Sequence, residues 1–257
     1  MRNRIALLIA LAAAFQVSLA KAEDHKDAKA VEIAHTMMQA MGGEDSWNHA
    51  HFVRFDFIVK AGGKTVLDRS HLWDKYTGRY RLESKTKDGK PEVTLFNTGT
   101  KDGAVYVDGK ALDGAAAKKA LDDAYGAWIN DMYWMAEPWK WLDSGVNLKY
   151  LGEKKLGKGA YDEVELTFGH VGLTPGDRYD TYVSRDSHLM EHWEYHLQGG
   201  QKGSWDWQYT ETHGMKLASN HVSADKKTDI SMGDVRVLDA ADDAYFSDPA
   251  RMLSGLK

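Results

Sequence analysis

The sequence predicts a mainly β protein with some helix. It is expected to be an unclosed antiparallel β-barrel, a curled sheet of about 10–11 strands with an N-terminal helix and a mid-chain helical lid. Three observations carry this. Apolar residues recur at every second position through most of the chain, with Gly- or Asp-containing turns between the runs. The period lengthens to three or four residues only near the N-terminus and at mid-chain. A twisted antiparallel sheet of that many strands curls or splits, and a helix across the mouth of a curled sheet leaves a cavity.

The first helix is expected over 28–41, where Ile33, Ala34, Met37, Met38 and Met41 fall at helical spacing and Gly42-Gly43 stops it. A short turn carrying Trp47 follows. From His51 the period is two: Val53, Phe55, Phe57 and Val59 share one face, and Arg54, Asp56 and Lys60 the other. Turns at Gly62-Gly63, Gly78, Asp88-Gly89, Asp102-Gly103 and Asp108-Gly109 divide the next stretch into short strands, with Tyr80 and Leu82 facing inward. Asp113 is placed to cap a helix in which Ala117, Leu121, Ala124, Trp128, Met132 and Met135 recur every three or four residues, and Pro138 ends it. Strands resume at Val146. Val164, Leu166 and Phe168 alternate with polar residues, a hairpin turns at Arg185-Asp186-Ser187, and Trp205, Trp207 and Tyr209 alternate in the next strand. In the acidic-aromatic tail, Tyr245 and Phe246 are expected to pin the chain end to the body.

Residues 1–22 read as a cleaved signal peptide: Arg2 and Arg4, an apolar run from Ile5 to Leu19, then Ala20-Lys21-Ala22. The remaining 23–257 shows no repeat or linker and is expected to be a single domain, periplasmic or secreted. Loss of the signal takes the formal charge from −5 to about −8. An acidic chain without a basic stripe is a poor nucleic-acid binder, and no second run is apolar enough to span a membrane. There is no cysteine, hence no disulfide, lipid-anchor cysteine or thiolate chemistry. No HExxH, GxSxG, Walker or GxGxxG pattern occurs, so no cofactor and no enzyme activity are expected.

The order of elements resembles the LolA/LolB-like lipoprotein-carrier superfamily. The residues that carry the likeness are Ala40-Met41-Gly42-Gly43 followed by Trp47, the hairpin SHLWDKYTGRYRLE, and the Asp-Gly pairs at 102–103 and 108–109. The mid-chain NDMYWMAEPWKWLDSGVNLKYLGEK and the final DDAYFSDP complete it. The tryptophan-rich WDWQY strand looks closer to uncharacterised secreted relatives than to the carriers proper. The resemblance implies an unclosed barrel with helices plugging a hydrophobic interior, and a lipid or a lipidated protein as partner.

The expected function is hydrophobic-ligand binding, of a lipid or a lipoprotein acyl chain, by a monomer. The lid is the helix Ala117–Ala136 with Pro138–Leu142, contributing Trp128, Met132, Met135, Trp139 and Trp141. The walls are Phe55, Phe57, Leu72, Tyr80 and Leu82 from the first strands, and Val164, Leu166, Phe168, Trp193 and Tyr195 from the later ones. A sensor or interaction protein of the same fold with a filled core is the alternative. A third reading is a metal-dependent enzyme. His188, Met190, His192, Glu194 and His196 alternate along one strand, and Asp206 or Glu211 would have to complete a metal site; a solvated outer face explains the same pattern. Asn130 and Asp131 read either as polar anchors at a cavity mouth or as the wet face of the helix.

Overall fold

The structure is a computed structural model and describes residues 24–169 and 171–256; the expected signal segment lies outside the described residues. Among the described residues thirteen strands form one antiparallel sheet. They are β1 (Phe52–Ala61), β2 (Lys64–Asp74), β3 (Arg79–Lys85), β4 (Pro91–Asn97), β5 (Gly103–Val107), β6 (Lys110–Ala111) and β7 (Val146–Leu156). Then come β8 (Gly159–Phe168), β9 (Arg178–Ser184), β10 (Met190–His196), β11 (Lys202–Thr212), β12 (Met215–Ser223) and β13 (Thr228–Leu238). The count exceeds the expected 10–11 partly because β6 has only two residues, too few to show a period. The helices are α1 (Ala28–Ala40), α2 (Glu44–His49), α3 (Gly114–Ala136) and α4 (Ala244–Ser247).

The chain enters the sheet at its centre. It steps outward from β1 to the edge at β6, crosses by α3 to the opposite edge at β7, and steps back to β13, which pairs with β1. The two edges stay unpaired with each other, so the sheet is open, as expected. A sheet edge invites unwanted pairing. One edge is kept very short, and the other is partly covered by residues 25–27, which exchange backbone hydrogen bonds with Leu148.

The concave face holds the main core. Val53, Phe55 and Phe57 of β1 meet Val164 and Leu166 of β8, Trp193 of β10, Trp207 of β11 and Leu217 of β12. Ala30, Ile33, Ala34, Met37 and Met38 of α1 pack on the same cluster. Gly42 ends α1 against the β11–β12 turn: at φ +118° a Cβ there would lie 2.3 Å from the Gly214 carbonyl oxygen. Only glycine fits both the backbone angle and the space.

The convex face is bound by the tail. Tyr245 and Leu253 pack on Phe52 and Leu72, with Phe246, Leu238 and Leu256 around them. Arg81, fully buried, donates to the carbonyls of Tyr245, Asp248 and Pro249 and pairs with Glu83 at 2.6 Å. Arg236 of β13 donates to the Leu256 carbonyl, and Arg54 of β1 meets Asp234 of β13 at 3.3 Å. The tail therefore latches the β1–β13 seam from outside.

Candidate functional site: the concave face under α3

The helix α3 forms because its first half is rich in alanine and carries Lys118–Asp122 and Lys119–Asp123 pairs at i,i+4 on its wet face. Asp113 sits at the N-cap position but makes no side-chain capping bond. Ala124 and Ala127 let the helix approach Tyr80, Leu82 and Phe96. Further along, Trp128 meets Trp73 and Tyr80, and Met132 and Met135 enter the main core. The helix thus crosses the concave face from β3–β4 to β8–β12.

Its C-terminal turn lands in a cage of aromatic rings. Trp134 lies 5.0 Å from Trp193, 5.1 Å from Trp205 and 6.1 Å from Trp207, centroid to centroid. Tyr133 packs beside Phe168, Tyr179 and Trp193. Such edge and stacked pairs add about 0.5–1.5 kcal/mol each beyond the buried area.

Polar groups are buried within this apolar layer. Asp131 is 0% exposed. It accepts two hydrogen bonds from Arg69 Nη1, at 3.1 and 2.8 Å, and lies 3.1 Å from His71 Nε2, though that contact is not aligned as a hydrogen bond. The Tyr80 hydroxyl meets His71 Nδ1 at 2.7 Å, and Phe55 stacks on the imidazole. The order Asp–His–Tyr has the form of a proton relay. Burial, however, pushes the Tyr80 hydroxyl well above its ordinary pKa and lowers that of His71. With Tyr80 sealed inside, the set holds α3 against β2 and β3. Of the two readings of Asp131, the anchor is the one the geometry supports, beneath the helix rather than at a mouth; Asn130 is exposed and donates to it at 2.8 Å.

Glu137, just past the end of α3, is fully buried. Desolvation raises its pKa to about 8, opposed by the indole N–H of Trp141, which donates to Oε1 at 2.7 Å. His221 is fully buried beside Trp134 and Trp207, and desolvation lowers its pKa to about 3. Near neutral pH both groups are largely uncharged. Glu137 Oε2 and the indole nitrogens of Trp73, Trp128, Trp193 and Trp207 have no hydrogen-bond partner among the described residues, and His221 has only a loose contact with the Trp134 backbone, which opposes the desolvation.

A cavity of about 550 Å³ opens where β10 and β11 part beyond the His192–Asp206 pair. Leu156, Tyr161, Leu189, Glu191, His192, Asp206 and Gln208 form its rim, and Trp207 and Tyr209 connect it to the aromatic core. The bulge between Met190 and His192 in the pairing with β9 turns Met190 into the core.

Most expected lining residues lie along the concave side. Phe55, Phe57, Met132, Met135, Trp139, Trp141, Val164, Leu166 and Trp193 are in the main cluster with Phe168 at its margin, and Tyr80, Leu82 and Trp128 are in a neighbouring one. Leu72 faces the convex side under the tail, because it pairs with Arg54 rather than with an inward residue. Tyr195 is half-buried on β10. Trp139 and Trp141 are not free to swing: their indoles donate to the Lys216 carbonyl and to Glu137. The histidine face divides. His188 sits in a turn at φ +57°, His192 pairs with Asp206, and His196 pairs with Asp180. Sequence reading did not single out Arg69, Glu137 or His221. The one available signal was position, since Arg69 and His71 share the inward parity of Phe55 and Phe57 through strand pairing.

No protein-family model matches the chain, and a search of curated proteins finds no match. Among solved structures it is similar to a DUF1329 family protein from Desulfovibrio piger, with 13% identity over 89% of this chain and 99% of that one and a TM-score of 0.47. It is also similar to a LolA superfamily protein from Nitrosomonas europaea, with 11% identity over 84% and 96% and a TM-score of 0.46. The lipoprotein LppX of Mycobacterium tuberculosis follows at 10% identity over 82% and 99%, with a TM-score of 0.32.

Proposed function

We propose that this protein binds a hydrophobic ligand, a lipid or the acyl chain of a lipoprotein, on its concave face beneath α3, in the periplasm or after secretion. The observation that carries the proposal is the tryptophan-rich apolar layer between α3 and the open sheet, in which Trp128 of the helix faces Trp73, and Trp134 faces Trp193, Trp205 and Trp207, with four of these indole N–H groups lacking a conventional acceptor. Buried polar groups are nearly always paired, and each left unpaired costs about 1–3 kcal/mol. An amphiphile entering under α3 would bring a polar end within reach of them. Because Glu137 and His221 are largely uncharged near neutral pH, the layer stays compatible with an acyl chain. Affinity comes from area, about 25 cal/mol per Å² before association costs.

In this reading α3 is the moving part and the Glu137–Lys140 turn its fixed pivot. Gly126 tests it, since a Cβ there would lie 3.8 Å from Leu173 Cδ1 in the β8–β9 loop. The chain has no cysteine, so in a Gly126→Cys, Leu173→Cys double variant any intramolecular disulfide must join these two positions, and non-reducing electrophoresis reports whether it has formed. Native extraction with mass spectrometry is expected to recover lipid, and fluorescent fatty acids are expected to quench the tryptophans. The oxidised double variant should lose the quenching and the reduced one regain it. Lipid-free protein whose tryptophans ignore fatty acids overturns the reading.

The alternative is a sensor or interaction protein with a permanently filled core. One observation favours it: Trp134, Met132 and Met135 already occupy the concave face. Fatty-acid titration separates the two.

A further inference from the structure

On the outer face of the sheet, away from α3, Asp180 of β9 lies opposite Glu194 of β10, and Arg178 lies opposite His196. One ligand atom from each of Asp180, Glu194 and His196 falls within 4.8 Å of the others. His196 Nε2 is 3.1 Å from Asp180 Oδ2. Asp180 is only 8% exposed, and its second oxygen, Oδ1, is buried without a partner. A buried carboxylate oxygen left unpaired calls for a cation or a donor. Glu165 of β8 pairs in register with Asp180 from the other side. Arg178 is the guanidinium in contact with this group, 3.1 Å from Asp180 Oδ2 and 3.7 Å from Glu165 Oε2. Three carboxylates thus adjoin one contacting guanidinium, with Lys149 in register beside Glu165 and Lys202 beside His196.

We propose that Asp180, Glu194 and His196 form a binding site for a divalent first-row transition cation, with Zn²⁺ as the best fit. One imidazole nitrogen with carboxylate oxygens suits Zn²⁺, whereas Ca²⁺ and Mg²⁺ prefer all-oxygen shells. Zinc bonds of about 2.0–2.2 Å place tetrahedral ligands about 3.5 Å apart, which rotamer adjustment of Glu194 and His196 can reach. Bound metal ties β9 to β10, with a water in the fourth position. The site shares Glu194 and His196 with the earlier metal reading and takes Asp180 in place of His192, which is held by Asp206 on the neighbouring strand.

The test is calorimetric titration of chelator-stripped, full-chain protein with ZnCl₂, together with visible absorption of the Co²⁺ form. One equivalent is expected to bind, with a rise in Tm. His196→Ala and Glu194→Gln should each weaken binding about tenfold or more, since even the outer partners of metal ligands are worth that much. Arg178→Gln should tighten it by removing a competing cation, and His192→Ala should leave it unchanged. Circular dichroism confirms that each variant is folded. Absence of binding, or binding that survives in both His196→Ala and Glu194→Gln, overturns the proposal.

Discussion

Arg81 on the convex face and Glu137 on the concave face are both fully buried, and their polar atoms are satisfied to different degrees. On the convex face Arg81 is sealed under the tail, and its donors reach three carbonyls and a carboxylate. On the concave face Glu137 keeps an oxygen unpaired, and His221 has only a loose contact with the Trp134 backbone. The first arrangement is a finished joint. The second carries a standing penalty, of the kind that accumulates where strain serves a purpose.

That contrast can be broken. Arg81→Met should be the most damaging change, at about 3–5 kcal/mol in denaturant unfolding, because it strands Glu83 and the tail carbonyls. Limited proteolysis should then release the tail first. Loss below 1 kcal/mol would mean that the tail is held by its apolar contacts alone.

The contrast sharpens with pH. Glu137 has a folded pKa raised to about 8, so the folded state keeps a proton that the unfolded chain has lost. Its contribution is present at low pH and is lost as pH rises toward 8, at about 1.4 kcal/mol per unit. His221 acts oppositely: with a folded pKa near 3, it makes stability rise with pH between about 3 and 6.5. The two slopes offset each other between about 4.5 and 6.5, and Glu137 alone acts above that. Denaturant unfolding at pH 6.5 and 8 should show the decline in the parent and a flat profile in Glu137→Gln.

His221→Phe should be neutral or stabilising by about 1–2 kcal/mol, since it removes unpaired atoms from an aromatic cage. It should also blue-shift tryptophan emission. A destabilisation would show that the ring is held by bonds of its own. The smallest effect belongs to the wet face of α3, where Lys118→Ala should cost about 0.3–0.5 kcal/mol.

Much of the fold was legible because it is written locally. The alternation in β1, the mid-chain helix ending near Pro138, the Asp-Gly turns and the Tyr245–Phe246 tail each follow from a few neighbouring residues. What was not legible depends on distant partners. Asp131 finds Arg69 across 62 positions. Leu72 faces outward because β2 pairs with β1 in a register that no single strand reveals. Met190 turned inward because a bulge reset the parity of β10. Periodicity reads which residues share a face, but it does not reveal which face is covered by a tail.

The central seam has a consequence for how the molecule is made. Strands β1–β6 and β7–β13 are two meanders in which each strand's backbone pairs with its neighbour in sequence, an arrangement that favours local assembly. The pairing of Val59 with Ile230 joins residues from opposite ends of the chain. That join must wait until almost the whole polypeptide has emerged, and it pays a large loop-closure entropy when it forms. The slow step is therefore the closing of the middle, with the tail fastening last. A folding intermediate would be a pair of half-sheets hinged through α3, with β1 and β13 exposed as fresh edges open to mispairing until they find each other.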